Sequence, residues 1–237
     1  MNWQLIADSL PALLEGARMT LLLTALAMAF GFCVAVPLAL AKMSANRLLS
    51  WPAGLYVYVF RGTPLLLQLF LVYFGLGQFS ADLEAAGVWW FFRDEFNCAV
   101  LVLVLNTSAY SAEIFRGGIQ AVPIGEIEAA RAVGMGRFLQ LRRIVLPKAL
   151  RLVWPAYTNE VVFLMQATSL VSLITVTDLF RVAAQVARRS FAIYEMYIAA
   201  GVIYLLISYA IILAFGRIEK RLNRHLPGRP GAGRWLA

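Results

Sequence analysis

Long apolar runs leave this chain few ways to fold. Five of them lie near residues 16 to 41, 53 to 78, 97 to 116, 150 to 174 and 194 to 216, separated by polar or charged joints. A helix rises about 1.5 Å per residue, so about 20 apolar residues cross a hydrocarbon core about 30 Å thick. Of the 237 residues 61% are hydrophobic and 14% charged, a balance outside that of soluble domains. The expected fold is therefore an all-α integral membrane protein, with one domain of five spans at 16 to 217. Residues 1 to 15, with Trp3, Leu5, Ile6, Leu10, Leu13 and Leu14, are expected to form an amphipathic segment along the outer interface. It would cradle a partner or only anchor the chain. Asp8 and Glu15 stand where a cleavable signal would be basic, and the first run is too long for one, so it is expected to be retained.

Several chemistries are excluded at once. Cys33 and Cys98 fall within or at the edge of apolar runs and support neither a disulfide framework nor a zinc site. His225, the only histidine, sits in a basic tail at 218 to 237, which removes a Ser/His/Asp triad or histidine-rich metal centre from the membrane. No nucleophile-base pair points to an integral-membrane enzyme.

The net charge of +8 is unevenly placed. Lys42 and Arg47 occupy one joint, Arg116, Arg131, Arg137, Arg142, Arg143, Lys148 and Arg151 another, and the tail adds more; these segments alternate so as to share one face. The joint at 79 to 96 holds Asp82, Glu84, Asp94 and Glu95 against Arg93. Only 175 to 193, with Arg181, Arg188 and Arg189 against Asp178, departs from the pattern. The positive-inside rule then predicts an outer N-terminus and a cytoplasmic C-terminus. It also accounts for the basic charge without nucleic acid.

The joint at 116 to 152 is expected to be cytoplasmic and structured. Pro123 suits a helix start, and Glu126 and Glu128 sit in first turns, where the dipole favours carboxylates. A short helix is predicted to about Val133, then a turn at Gly134 and Gly136, then a second helix through Phe138, Leu141, Ile144 and Val145 to a break at Pro147. An amphipathic hairpin lying on lipid headgroups is the plainer alternative.

Glu128-Ala129-Ala130, Gly134, Ile144 and Leu146-Pro147, at these spacings, resemble the EAA loop of ABC importer permeases. Phe60-Arg61-Gly62-Thr63-Pro64-Leu65-Leu66 and Asn106-Thr107-Ser108-Ala109-Tyr110-Ser111-Ala112-Glu113-Ile114 resemble the polar amino acid permeases within that family, and the similarity extends over almost the whole chain. The resemblance implies a type I importer permease of a bacterial inner membrane, with five transmembrane helices and a coupling loop that docks on a cytoplasmic ATPase. It implies as partners a second permease chain, identical or similar, two ATPases and an external solute-binding protein. ATP and Mg would be held by the ATPases and no cofactor by this chain, which has no Gly-x-x-x-x-Gly-Lys-Ser/Thr loop. Resemblance to the histidine and octopine branch, together with Glu160, implies histidine, arginine, lysine, ornithine or an opine as cargo.

Polar groups deep in an apolar run are functional candidates, because hydrocarbon penalises them. Glu160 lies ten residues beyond Leu150 at the expected inner face, about 15 Å deep. With Asn159 and Thr168 it forms a polar seam, and it is expected to receive a cationic group of an amino acid. The alternative is an internal pair with Arg61 or with a basic residue of another subunit. Asn106, Tyr110 and Glu113 share one helical stripe; the first two are candidates for lining the pathway, and Glu113 is expected to pair with Arg116. Pro64 is expected to break the second span after Gly62, with Thr63 capping the new start and Arg61 alongside. Such a break suits a substrate carboxylate, a gate or a plain packing kink. Ala25, Ala29, Gly31, Ala35 and Ala39 would let the first span pack closely. A secondary transporter or channel using Glu160 as its ion site is the rival function, but it leaves the EAA pattern unexplained, and no internal repeat is evident.

Overall fold

The computed structural model describes residues 3 to 223, and no strand occurs among them. Helix α1 spans Trp3–Lys42, 40 residues that run unbroken through Pro11 and Pro37. At about 1.5 Å per residue it is about 60 Å long, twice the hydrocarbon thickness, so part of it stands outside the bilayer. Residue 15 is thus no helix boundary. Leu13 and Ala17 are buried, with Leu5 and Ile6 alongside, in a cluster with Leu179, Val182, Ala183 and Met196. The expected separate N-terminal segment is instead an extension of the first span, held by a second, smaller core.

Helix α2 (Arg47–Gly62) starts where the Asn46 side chain accepts the Leu48 amide at 2.9 Å. Helix α3 (Leu65–Phe70) follows and widens into a π-helical turn at Leu71–Gly75. The two axes are bent by 103°, the break expected at Pro64. Two short helices, α4 (Ser80–Ala85) and α5 (Trp89–Phe92), lead to α6 (Glu95–Gln120), capped by Asp94 accepting from the Asn97 amide at 2.9 Å.

Helices α7 (Ile124–Ala132) and α8 (Arg137–Gln140) meet at a turn, and α8 runs through a π-helical turn at Leu141–Val145 into α9 (Leu146–Ala167). Pro147 therefore does not end the helix as expected. It takes the second position of α9, and the wider turn before it re-pairs carbonyls that its missing amide would orphan. A 3-10 segment at Thr168–Ile174, α10 (Leu179–Ser190) and α11 (Ile193–Leu222) complete the chain. The basic tail beyond 223, with His225, lies outside the described residues. Three helices, α1, α6 and α11, are long and apolar enough to cross a membrane, and two bent pairs would raise this to five if each is one span.

Asp178 joins α10 to α11. Fully buried, its carboxylate accepts the amides of Phe180 at 3.2 Å and Arg181 at 2.9 Å and the Tyr204 hydroxyl at 3.2 Å. Arg181 donates to the Ser172 carbonyl at 2.7 Å, while Arg188 and Arg189 occupy the last turn of α10, where the dipole favours cations. These local duties explain why this joint departs from the charge pattern of the others.

Helix α6 is the centre of the main core. Leu103, Ala109 and Ala112 pack with Leu23, Ala27, Ala35 and Ala39 of α1 and with Val153, Tyr157 and Val161 of α9. Of the small residues expected to mediate close packing, Ala35 and Ala39 are buried and Ala25 and Ala29 exposed on the opposite side. Gly31 marks the tightest crossing of α1 and α6, since a Cβ there would stand 2.6 Å from Cγ2 of Thr107. Gly31→Val is expected to destabilise the protein by about 1–3 kcal/mol through overpacking. A lower melting temperature in detergent than that of wild type or Ala29→Val checks this.

Candidate functional site

The break between α2 and α3 strips carbonyls of their helical partners inside the membrane domain. Two side-chain amides replace those partners. Nε2 of Gln68 donates to the carbonyl of Phe60 at 3.0 Å, the carbonyl of Thr63 at 3.1 Å and the Thr63 hydroxyl at 2.8 Å. Nδ2 of Asn106 donates to the Phe60 carbonyl at 3.2 Å and to Oε1 of Gln68 at 3.1 Å. Thr63 does not cap α3 as expected; its hydroxyl turns back to the Val59 carbonyl at 2.8 Å, and Pro64 stands at the N-cap of α3, which has no side-chain cap.

Beside this break lies a cavity of about 720 Å³, well within the range of small-molecule sites. Arg61 to Leu65 form one wall, Asn106, Tyr110 and Ile114 of α6 another, and Ala156, Asn159, Glu160 and Phe163 of α9 a third. One oxygen of Glu160 accepts the Thr107 hydroxyl at 3.0 Å. Among the described residues Glu160 forms no ion pair.

Arg61 has a different neighbour. Its Nη1 is 3.7 Å from Glu113, and its guanidinium lies 5.2 Å from the centre of the Tyr110 ring. Glu113 also holds Lys42 at 2.6 Å and Arg116 at 2.9 Å, so one carboxylate gathers three cations from three helices. Arg61 and Tyr110 line a second cavity too, of about 480 Å³, which Lys42 and Tyr58 complete. The Arg61 and Tyr110 pair is thus a shared wall between the two spaces.

At the other end of α9 the loop forms a braced unit. Val122, Val145 and Ala149 are buried together with Ile119, Ile127 and Leu141 packed against them, and Lys148 pairs with Glu126. Gln140, itself buried, donates to the Met135 carbonyl at 2.5 Å. Gly134 turns the chain at φ +79°, a conformation other L-residues resist. Helix α7 leaves Ile124, Glu128, Ala129 and Val133 exposed, whereas Ala130 is buried. Ile144 and Leu146 are half-buried and Pro147 is exposed.

Residues 17 to 224 match the family described as binding-protein-dependent transport system inner membrane component. The chain belongs to that family. This permease is 47% identical over 231 residues to the nopaline transport system permease protein NocM of Agrobacterium fabrum, covering 98% of this chain and 96% of that one. It is 42% identical over 211 residues to the histidine/lysine/arginine/ornithine transport system permease protein HisM of Escherichia coli K12, covering 89% of each. A crystal structure of an amino acid ABC transporter with histidines superposes with a TM-score of 0.83 at 34% identity, covering 93% of this chain and 99% of that one. The permease has the type I ABC importer fold.

Five of the six pathway residues expected from sequence, Arg61, Asn106, Tyr110, Asn159 and Glu160, line the larger cavity. The sixth does not: Thr168 is fully buried, and its hydroxyl returns to the Met165 carbonyl at 2.7 Å. The spacing of eight is two full turns and about 80° more, so on α9, which stays α-helical to Ala167, Thr168 stands well round from Glu160. The alternative pair of Glu160 with Arg61 is not formed, because Arg61 turns to Glu113. Gln68 and Thr107 complete the site without having been singled out. Gln68 is a lone amide within the run LLLQLF, and Thr107 directly follows Asn106, so both carried the intramembrane-polar signal.

Thr107→Val removes the hydrogen bond to Glu160 while keeping the shape that packs on Gly31. It is expected to weaken transport by about 10-fold, the cost of one bond to a charged group, and Thr107→Ser to preserve it. Uptake into vesicles, normalised to the protein in the membrane, measures both.

Proposed function

We propose that this permease imports basic amino acids or related opines, powered by a separate ATPase that docks on α7. The observation that carries the cargo assignment is Glu160, a carboxylate that lines the larger cavity and forms no ion pair among the described residues. A negative charge in a low-dielectric space favours a cation strongly. Relatives named for nopaline and for histidine, lysine, arginine and ornithine support the same class of cargo. Asn106, Asn159 and Tyr110 offer polar groups along the route, and Arg61 faces them.

The chain sits in the membrane with its N-terminus outside and α7 on the cytoplasmic side, by the charge asymmetry of its joints. It works with a second permease chain, two ATP-binding subunits that hold ATP and Mg, and an extracytoplasmic solute-binding protein. Glu128, Ala129, Gly134 and Pro147 are the exposed coupling residues that the loop offers to the ATPase, and Ala130, Ile144 and Leu146 shape it from behind.

Glu160→Gln removes charge and little volume. Uptake of cationic amino acids is expected to fall at least about 10-fold, with neutral substrates less affected. Equal loss for both classes in the reconstituted importer would sink direct charge recognition. At the loop, Gly134→Asn keeps a residue that tolerates positive φ and Gly134→Val does not. ATP-driven uptake is expected to drop more for valine than for asparagine, with membrane insertion unchanged in both. Undiminished uptake in the valine variant would remove Gly134 from the coupling role.

A further inference from the structure

We propose that Arg61 takes the carboxylate of the cargo and that Glu113 is its positioning residue. The proposal rests on the cavity being the cargo site. Three cations converge on Glu113, so the cluster carries two positive charges more than it neutralises. Lys42 at 2.6 Å and Arg116 at 2.9 Å, the latter with Nε at 3.2 Å from both oxygens, occupy the carboxylate at hydrogen-bonding distance. Arg61 at 3.7 Å is beyond that distance and is the surplus partner.

The same residue is the most open of the three. Its side chain is 42% exposed, against 27% for Lys42 and 31% for Arg116, and it alone of the three lines the larger cavity. The ring of Tyr110 lies against its guanidinium, and the Tyr110 hydroxyl donates to the Arg61 backbone carbonyl at 3.5 Å. Glu113 on one side and Tyr110 on another hold the fork in place without consuming its donors. A held planar guanidinium with free donors is the complement of a carboxylate, which it binds through two parallel hydrogen bonds.

Glu160 lines the same cavity from α9 with a carboxylate that forms no ion pair among the described residues. Surplus positive charge on one wall and unpaired negative charge on another match a molecule carrying both a carboxylate and a cationic group. A decarboxylated amine satisfies Glu160 alone. Arg61 therefore decides between an amino acid and its amine, a selection separate from the choice of a cation over a neutral side chain.

The test is ligand binding to the assembled importer in lipid nanodiscs, without the solute-binding protein, whose own selectivity would mask the permease. Calorimetric titration uses L-arginine and L-lysine and their decarboxylated counterparts agmatine and cadaverine. Wild type is expected to bind each amino acid at least about 10-fold more tightly than its amine. Arg61→Gln is expected to collapse that ratio to about one, and Glu160→Gln to weaken both ligands and keep the ratio. Arg61→Lys, which retains charge and loses the fork, should fall between. Glu113→Gln should lower the ratio without weakening the amines, as a positioning role requires. Amine binding by the Arg61 variants shows that they are folded. Retention of the full ratio in Arg61→Gln overturns the proposal while leaving the cargo reading intact. Failure of all four probes to bind wild type overturns both.

Discussion

Hydrocarbon offers no hydrogen bonds, so a membrane helix can break only where something replaces the backbone pairs it gives up. Here the replacements are Gln68 and Asn106, whose amides satisfy the carbonyls of Phe60 and Thr63. The rest of the site follows from that repair. Because the carbonyls are satisfied, α2 and α3 can diverge by 103°. Their divergence places Gly62 to Leu65 on one side of a cavity whose other walls are α6 and α9. Asn106 joins the repair to α6, and the next residue, Thr107, holds Glu160 of α9. Broken helix, central helix and carboxylate are thus linked through adjacent residues.

Charge is distributed over this frame by the same economy. Glu113 lies toward the end of α6 that meets the loop and is compensated by Lys42, Arg116 and Arg61, drawn from the ends of α1 and α2 and from α6 itself. Removing Glu113 would leave three cations facing one another, so this cluster is tied together by one group. Among the described residues Glu160 forms no ion pair and accepts one hydroxyl. The cavity thus bears a guanidinium on one wall, Arg61, and a carboxylate on another, Glu160.

Much of this was legible in the sequence, because the membrane makes polar residues conspicuous. Glu160 stands out in an apolar run, Pro64 dictates a break, and the glycines of the loop announce a turn; the broken span and the helix-turn-helix follow from those residues. The two misses have different origins. Thr168 misses the cavity because eight residues carry a helix about 80° past two full turns, whereas Pro147 avoids a break through the π-helical turn before it. Such a turn is a change of helical pitch, which depends on tertiary packing more than on the local residues. The pairing of Arg61 was likewise undecidable from spacing, since Glu113 and Glu160 were both within the expected bundle and only the bend chooses between them. The length of α1 is not legible because the continuous apolar run begins only near residue 16, whereas burial of Leu13 and Ala17 against α10 and α11 carries the helix through.

The geometry of α9 also separates a motor-driven permease from a carrier that runs on an ion gradient. Lys148 near its start is paired with Glu126 of α7, and Val145 and Ala149 bury the same junction. Glu160 lies twelve residues further along this helix, which is continuous over Leu146–Ala167, so about 18 Å of helix joins the loop to the cavity. A displacement of α7 is then a displacement of the carboxylate. A carrier using Glu160 as its ion site would need the carboxylate and a moving wall, but nothing in that mechanism calls for an exposed helix braced onto the base of α9. The proposed docking of an ATPase on Ile124, Glu128 and Val133 does call for it: the brace would keep a push from dissipating in the loop, and the continuous helix would carry it toward the cavity.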